Sequence, residues 1–275
     1  MTKPRAAIAR PSAHLETIMK TFINDIRPTR RSYAVVDIET LDDLEAFDKY
    51  ERLDPRRAHL RWPFKHVCAA ALLTFSVDEE GRFESGHLDS WAGDDEAALL
   101  GALFTKLRLM DDYQLVTWSG ISHDLVVMRM SAMEHGLRLP RQLVHVAREH
   151  GRWLHRDLEV EMVAGSGKHV HLTEIATRLR LPVKFADQAS MVPTLLASGR
   201  LRRLAAIPEA DVLTTALVLC AQLEIHGELG RAMGAQARLI QSVLRLRPEA
   251  RYREYLERVV KRLIGNEEAA LSRAA

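Results

Sequence analysis

The segment from His66 to Val77, HVCAAALLTFSV, is the feature that most restricts the fold. It is apolar along nearly all of its length and lacks the alternation of apolar and polar residues shown by a strand with one wet face. We therefore predict a central strand that other elements cover on both sides. Residues 81–91, GRFESGHLDSW, alternate after a turn at Glu80 and Gly81, so we expect them to form its antiparallel hairpin partner.

The rest of the chain predicts further strands and helices around this hairpin. A strand is expected at about 33–38 and another within 113–120, because both segments are rich in apolar residues. Acids in a first turn, followed by leucines three and four residues apart, predict a helix over 94–110. Further helices are predicted at 122–137, 171–180, 188–199 and 207–226, with two more inside 229–265 that are split near Pro248. This order indicates an α/β fold, a mixed sheet flanked by helices.

The 275 residues divide into three predicted parts. Residues 1–31 end in the basic sequence RPTRRS and lack the apolar core of a secretory signal, so we interpret them as a flexible N-terminal arm. Residues 32–227 form the main domain, in which the polar, proline-broken segment 41–64 is an excursion with about one helical turn. Residues 228–275 form a C-terminal helical extension.

Bulk composition excludes few functions. The 39 basic and 37 acidic residues give a net charge of +2, which neither demands nor excludes a nucleic-acid partner. Cys68 and Cys220 have no CxxC partner, so we expect neither a disulfide framework nor a cysteine zinc site, and a reducing cytoplasm fits the chain. No uninterrupted apolar stretch approaches the roughly 18 residues of a membrane span, so no membrane partner is predicted.

Two carboxylates end the first predicted strand. In AVVDIET, residues 34–40, Asp37 and Glu39 are separated by one residue. Since side chains i and i+2 of a strand point to the same face, the two carboxylates repel each other over a short distance. Either this strand end is solvated, or a cation lies between the two side chains.

Two further acids stand at predicted helix starts. Asp124 begins the helix after the 113–118 strand, and Asp211 lies in the first turn of PEADVLTTALVL. Taken singly, each is more often a residue that favours the positive end of a helix dipole than a ligand. If the two parallel strands are neighbours, however, their carboxyl ends meet at the edge where α/β sheets bind ligands. The four acids would then form one negative pocket, and such a pocket favours hard divalent cations.

Three segments resemble, in order and spacing, the exonuclease motifs of the DEDD superfamily. They are VVDIET, LVTWSGISHDLVVM and EADVLTTALVL. The chain is most similar to the bacterial predicted 3′–5′ exonucleases related to the proofreading domain of family B DNA polymerases. The resemblance covers about Ser32 to Gly227, with LTEIATRLRLPVK as the linking helix and HRDLEVEM, at 155–162, in place of an internal D-L segment. It implies a ribonuclease H-like fold.

The resemblance also implies a role for each of the four acids, which would be both catalytic and metal-binding residues. Asp37 would bridge two divalent metal ions, Mg²⁺ or Mn²⁺. Glu39 and Asp211 would hold the ion that activates the attacking water. Asp124 would hold the second ion, beside the leaving 3′-oxygen.

Four further residues would contact the substrate by the same resemblance. The backbone of Thr40 and Leu41 would lie near the terminal nucleotide. Ser119 stands where the family has Asn and can still hydrogen-bond a substrate. His123 stands where the family has Phe, and it is either a ring that stacks on a base or pairs with phosphate, or an ordinary histidine at a helix N-terminus.

The third motif departs from the family at the position that handles water. The related group carries Tyr four residues before the last Asp, and another branch carries His five residues before it. Here these positions are Ile207 and Ala206, and neither side chain accepts a proton. Loss of a positioned base typically lowers the rate by about 10²–10⁴-fold.

Other motifs are interpreted without a function. GSGKH (165–169) lacks the first glycine and the Ser or Thr of a phosphate-binding P-loop, so it predicts a turn or loop. HVH at 169–171 lacks further zinc ligands at a suitable spacing. The basic runs at 200–203 and 244–254 alternate with leucine and predict helix faces with solvated charge. Few rings are available to stack on bases, and the candidates are Trp62, Phe64, Trp91 and Trp118.

Two functions remain. The first is a metal-dependent 3′–5′ exonuclease that hydrolyses phosphodiester bonds at single-stranded 3′ ends and releases nucleoside 5′-monophosphates. DNA is expected over RNA as its substrate, although no base- or sugar-reading motif separates the two. The alternative is a weakened or inactive exonuclease-fold module that binds nucleic acid. Four retained, mutually repelling acids favour the enzyme, whereas Ile207 favours the binding module; the sequence predicts no oligomeric state.

Overall fold

The computed structural model describes residues 30–56, 59–144, 148–149, 152–163 and 168–274. The predicted N-terminal arm, up to residue 29, lies outside the described residues. Residues 164–167, which hold the glycine-rich part of GSGKH, lie outside them as well.

The described residues form seven strands. They are β1 (Arg31–Asp42), β2 (Lys65–Val77), β3 (Phe83–Ala92), β4 (Gln114–Thr117), β5 (Arg148–Glu149), β6 (Arg152–Trp153) and β7 (His155–Asp157). Within the described residues, five of them form one sheet in the order β3-β2-β1-β4-β7, and β5 pairs with β6 alone. β2 runs antiparallel to β1 and to β3, whereas β4 is parallel to β1 and to β7. This arrangement confirms the predicted mixed sheet of ribonuclease H-like topology, with the hairpin of β2 and β3 on one side.

Helices follow the strands in the predicted order. They are α1 (Leu44–Leu53), α2 (Glu96–Arg108), α3 (Asp124–Glu134), α4 (Leu158–Val163), α5 (Leu172–Arg178), α6 (Val192–Ala197), α7 (Leu201–Ile225), α8 (Ala232–Leu246) and α9 (Arg253–Ala274). The predicted split near Pro248 is confirmed, because α8 ends at Leu246 and α9 starts at Arg253. The basic run 244–254 therefore includes the turn between two helices as well as helix faces.

Two predicted boundaries were wrong. The segment 41–64 holds a helix of ten residues, α1, rather than one turn. It begins where an Asp43 carboxylate oxygen accepts a hydrogen bond from the Ala46 N–H at 2.9 Å, a side-chain cap that stabilises a helix start. The helix predicted at 207–226 starts earlier, at Leu201, and Pro208 lies inside it. Proline usually marks a first turn, but here Leu204 is buried in the core and extends the helix on its N-terminal side.

The alternation of β1 sends its two faces to different helices. Tyr33 and Val35 lie in the core formed with α7, α8 and α9. Ala34 and Val36 lie in a second core, formed with α2 and α3. The sheet is therefore covered on both sides, as the apolar β2 segment predicts. Asp37 continues the face of Tyr33 and Val35, so it points toward α7.

A buried ion pair joins the C-terminal helices to α7 and the sheet. Glu209, on α7, is 5% exposed. Its Oε1 accepts hydrogen bonds from Ser90 Oγ and from Arg247 Nε, each at 2.6 Å, and its Oε2 accepts one from the Tyr252 hydroxyl at 3.0 Å. Because Ser90 belongs to β3 and Arg247 follows α8, this one carboxylate connects three parts of the fold.

Helix α7 combines a length of 25 residues with a strongly apolar composition. By length and hydropathy alone it would suit a membrane span, and within the described residues it is the helix that passes this test. In its most apolar 18-residue window, 78% is buried within the protein. The composition of α7 is thus that of a core helix packed against β1, β2 and β3.

Replacing Arg247 by alanine is expected to lower the free energy of unfolding by about 3 kcal/mol, because the buried Glu209 carboxylate loses its cationic partner. Urea unfolding followed by circular dichroism measures the change. The matched control is Arg202→Ala, since Arg202 and its partner Glu249 are 93% and 83% exposed. The control should change stability by no more than about 0.5 kcal/mol. Equal effects of the two variants would contradict a structural role for the Glu209 pair.

Candidate metal centre

Three of the four predicted acids meet at one end of the sheet. Carboxylate oxygens of Asp37, Glu39 and Asp211 all lie within 4.8 Å of one another. Two of these residues are at the C-terminal part of β1 and share a face, as the i, i+2 spacing predicts. The third comes from α7, which packs across that face. The cluster therefore brings together residues that lie more than 170 positions apart in sequence, because Asp211 comes from α7 and the other two acids from β1.

Asp124 completes the group from the other side of the sheet. It is the first residue of α3, is 7% exposed, and lies outside the three-residue cluster. Its charge nevertheless reaches the cluster, because among the neighbouring acids Asp124 contributes most to raising the pKa of Asp37. The four acids thus share one pocket, with three in close contact and the fourth nearby.

The pocket disfavours negative charge when only protein surrounds it. Burial, followed by the charge of the neighbouring acids, raises the pKa of Asp37 well above its usual range. The same causes raise the pKa of Glu39 to about 7 and that of Asp124 to about 8. Burial also raises the pKa of Asp211. Divalent cations remove this cost by supplying positive charge to hard oxygen ligands, so the residues present fit such ions.

Lys184 is a functional candidate that sequence reasoning missed. Its Nζ lies 3.3 Å from the Asp211 carboxylate, and its positive charge opposes the raised pKa values of Asp37, Glu39 and Asp211. The lysine side chain is half exposed, so it stands at the mouth of the pocket. Its backbone has φ +45°, a left-handed conformation that costs energy for a residue with a Cβ. Only the folded structure reveals the role of this lysine, because the segment that precedes α6 contacts α7 there.

Asp157 was also missed as a residue of this site. It ends β7 in register with Thr117, and its two oxygens accept hydrogen bonds from the Ser119 and Ile121 N–H groups, each at 2.9 Å. These bonds fix the turn that leads into α3 and hence the start of that helix at Asp124. The sequence placed HRDLEVEM by resemblance alone, because the pairing of β4 with β7 is not readable from a three-residue strand.

The same turn leaves no room for a larger residue at its centre. A Cβ added to Gly120 would lie 2.3 Å from Thr117 Oγ1, which is far inside van der Waals contact. Ser119, just before it, adopts a left-handed φ of 59°. Its hydroxyl lies 2.8 Å from that of Ser122. The predicted substrate-binding serine is therefore held by a tight turn between β4 and α3.

The remaining predicted substrate residues are neighbours in sequence of two of the four acids. Thr40 and Leu41 follow Glu39 at the end of β1, beyond a register shift between β1 and β2 that falls after Glu39. His123 precedes Asp124 and is the N-cap of α3. Partial burial, followed by the charge of Lys65, lowers the pKa of His123.

The position expected to hold a tyrosine is buried one helical turn before Asp211 on α7. Ile207 is 2% exposed and packs in a small core with Cys68, Ala69 and Leu204. Ala206 lines a separate cavity of about 790 Å³, whose walls include Glu209 rather than any of the four acids. Neither side chain can accept a proton, so neither position supplies the acids with a general base.

A second group of potential ligands has a structural explanation. Glu96, Glu134 and His135 could also surround an ion. The Glu96 carboxylate, however, already accepts hydrogen bonds from the Ser131 hydroxyl at 2.7 Å and from the Val67 N–H, and it lies 2.8 Å from His135 Nε2. These contacts tie α2, α3 and β2 together, so we interpret this carboxylate as part of the fold.

Comparison with known proteins places the chain in a family. Residues 57–259 match the sequence model of the predicted 3′–5′ exonucleases related to the exonuclease domain of PolB, which is more than half of the chain. The chain belongs to this family. The match includes Asp124 and Asp211 and begins after Glu39. The two acids of β1 lie before the matched residues, so their place in an exonuclease site stays a prediction from the motif and from their geometry.

Solved structures with a similar chain trace include a polymerase and exonucleases. The family B DNA polymerase from the hyperthermophilic archaeon Pyrobaculum calidifontis is 16% identical, with 78% of this chain and 26% of that chain covered and a TM-score of 0.47. Product-bound exonuclease I is 12% identical, with 71% and 43% covered and a TM-score of 0.43. E. coli exonuclease I with a dT13 oligonucleotide is 12% identical, with 67% and 39% covered and a TM-score of 0.39. This chain spans less than half the length of each, and no curated protein matches its sequence.

The raised carboxylate pKa values predict that the metal-free protein loses stability as the pH rises. The folded pKa values of Glu39 and Asp124, about 7 and about 8, exceed the ordinary 4.5 and 3.8, so between these limits the folded state holds protons that the unfolded state has lost. Their contribution is fully favourable below about pH 4 and is lost as the pH rises through the folded values. In EDTA, the Tm of the wild type should fall by several degrees relative to Asp124→Asn between about pH 5 and about pH 8. Parallel Tm curves for the two proteins would contradict the electrostatic account.

Added Mn²⁺ is expected to reverse this loss, since carboxylates bind metal in their deprotonated form. Its stabilising effect on Tm should be larger at about pH 8 than at about pH 6. Asp37→Asn should remove most of the effect, whereas Asp112→Asn, which changes an exposed acid, should retain it. A gain of the same size in wild type and Asp37→Asn would show that the ion binds elsewhere.

Proposed function

We propose that this exonuclease-family protein is an active, metal-dependent 3′–5′ exonuclease that acts on single-stranded nucleic acid ends. The observation that supports the proposal most directly is the cluster of Asp37, Glu39 and Asp211, whose oxygens lie within 4.8 Å of one another beside Asp124. A pocket that holds four acids against their mutual repulsion is suited to binding divalent ions. The relation of the family to a DNA polymerase domain favours DNA over RNA as the substrate.

The four acids would hold two divalent ions, Mg²⁺ or Mn²⁺. When bound, such a pair of ions supplies electrostatic stabilisation to the attacking and leaving oxygens of a phosphodiester. The protein's own part is to fix its ligands in place. β1 fixes Asp37 and Glu39, the packing of α7 fixes Asp211, and the turn held by Asp157 fixes Asp124.

The reaction is hydrolysis of the last phosphodiester. The oxygen of a water molecule forms a bond to phosphorus while the bond from phosphorus to the 3′-oxygen breaks. The released nucleotide carries a 5′-phosphate, and the 3′-oxygen takes a proton and becomes the new end. In this proposal Lys184 places positive charge at the mouth of the pocket, where the phosphate enters, and Ser119 and His123 border the terminal nucleotide from the side of α3.

Ile207 supports a second candidate function, a binding module without efficient catalysis. Its aliphatic side chain is buried in a small core and cannot accept a proton, and Ala206 lines a different cavity. If the enzyme is active, we expect turnover to be about 10²–10⁴-fold slower than in a variant of the family that has a positioned base. Slow cleavage therefore fits the proposal, and complete inertness fits the binding module.

Hydrolysis of a 5′-labelled single-stranded DNA, and of the RNA of the same sequence, tests the proposal. With Mg²⁺ or Mn²⁺, the wild type should give a ladder that shortens from the 3′ end, and mass spectrometry should identify nucleoside 5′-monophosphates. Asp37→Asn should lower the rate by more than about 10²-fold, because the metal centre loses a charged ligand.

The control for this assay is Asp112→Asn, which changes an exposed acid outside the pocket and should cleave at the wild-type rate. The ratio of rates on DNA and RNA identifies the substrate. If wild type and Asp37→Asn are equally inert but both bind the strand, the binding module is the correct function.

A further inference from the structure

One exposed segment beside the metal centre combines rings with positive charge. Residues 59–66, HLRWPFKH, contain Arg61, Lys65, Trp62 and Phe64 and no acid. We call residues 59–66 the basic-aromatic segment. Arg61 is exposed and Trp62 is 41% exposed. Basic side chains interleaved with accessible rings are the combination that binds single-stranded nucleic acid, through phosphates and base faces respectively.

The contacts of this segment place it at the mouth of the pocket. Its last residues start β2, where Lys65 and His66 pair with Asp42 and Leu41 of β1, just beyond Glu39. The short 3₁₀ turn at Trp62–Phe64 packs against α3, the helix that starts at Asp124. The segment therefore lies between the end of β1 and α3, the two elements that carry acids of the metal centre.

Helix α1 serves as the support of this segment. All of its residues are at least partly exposed, so α1 adds little to the core. Its rings instead pack on Phe64, with the Phe47 ring at 5.3 Å and the Tyr50 ring at 5.2 Å between centroids. The Asp43 N–H also donates a hydrogen bond to the Phe64 carbonyl oxygen at 2.7 Å. Phe64 is thereby anchored.

The anchoring of Phe64 leaves its neighbours available to a ligand. Lys65 pairs with Asp42 at 2.7 Å, whereas among the described residues no carboxylate pairs with Arg61. Trp62 shares the exposed turn with Arg61. Four consecutive residues thus hold an anchored ring, an exposed ring and a guanidinium that no carboxylate of the described residues pairs with.

We infer that the basic-aromatic segment binds the substrate strand on the 5′ side of its terminal nucleotide. Trp62 stacks on an unpaired base, and Arg61 contacts a backbone phosphate. The inference rests on the proposed function, because a strand whose 3′ end lies at the four acids must leave the pocket past its mouth. It goes further in naming the surface that holds the part of the strand that is not being cleaved.

Binding of a 5′-fluorescein oligothymidylate, measured by fluorescence anisotropy in EDTA so that no cleavage occurs, tests the inference. Trp62→Ala should weaken binding by about ten-fold, and Trp62→Phe should recover most of the loss because it keeps a ring. Arg61→Ala should weaken binding and reduce the slope of log K against log salt by roughly one. The matched control is Arg258→Ala, an exposed arginine of α9 that should leave binding unchanged.

The outcomes separate this inference from the proposed function. If wild type cleaves the labelled strand but Trp62→Ala and Arg61→Ala bind it as well as Arg258→Ala does, the inference is overturned and the exonuclease stands. If wild type neither binds nor cleaves the strand, both fail. Equal weakening by Trp62→Ala and Trp62→Phe would also overturn the stacking role. Circular dichroism of each variant establishes that the fold is retained.

Discussion

Repulsion among carboxylates is the constraint on which the arrangement of this protein depends. Carboxylate oxygens of Asp37, Glu39 and Asp211 are held within 4.8 Å of one another at the largely buried C-terminal end of β1. Burying like charges together opposes folding, and protons, metal ions or nearby cations can relieve it. The structure keeps the three acids in place by embedding β1 between two other strands and covering it on both faces. The extensive core on either side of β1 supplies the stability that this pocket lacks.

The helices after residue 227 take part in that support. They form one continuous core with α7 and the sheet, and the Glu209 carboxylate links Arg247 and Tyr252 to the helix that carries Asp211. Since Glu209 and Asp211 are two residues apart on α7, they point to different sides of the helix. One side of α7 is thus tied to the C-terminal helices, and the side that carries Asp211 presents a carboxylate to the metal centre. Residues 228–275 follow the main domain in sequence, and we propose that these helices support the metal centre in the folded protein.

Much of this arrangement could be predicted from the sequence, and the two omitted site residues share a cause. The apolar run of β2 and the spacing of Asp37 and Glu39 are local patterns, and they predict the sheet and the shared face of the two acids. Motif order brings Asp124 and Asp211 to the same edge. Asp157 and Lys184 could not be found in this way, because their importance arises from contacts with Ser119 and Asp211 that only the folded chain creates. Helix α1 was underestimated for a different reason: the segment 41–64 is polar and contains Pro55 and Pro63, which indicate loops, but the helix ends at Leu53, before either proline.

The burial of Ile207 determines what a change at this position costs. Its side chain is packed with Leu204 and Ala69 in a small buried core. A tyrosine introduced there would bring a larger ring and a hydroxyl into a filled core, which is destabilising unless neighbours become smaller first. A single Ile207→Tyr substitution therefore lowers stability at the same time as it adds a hydroxyl one helical turn before Asp211. A proton acceptor at this position needs a second, compensating substitution, such as a smaller residue in place of Leu204.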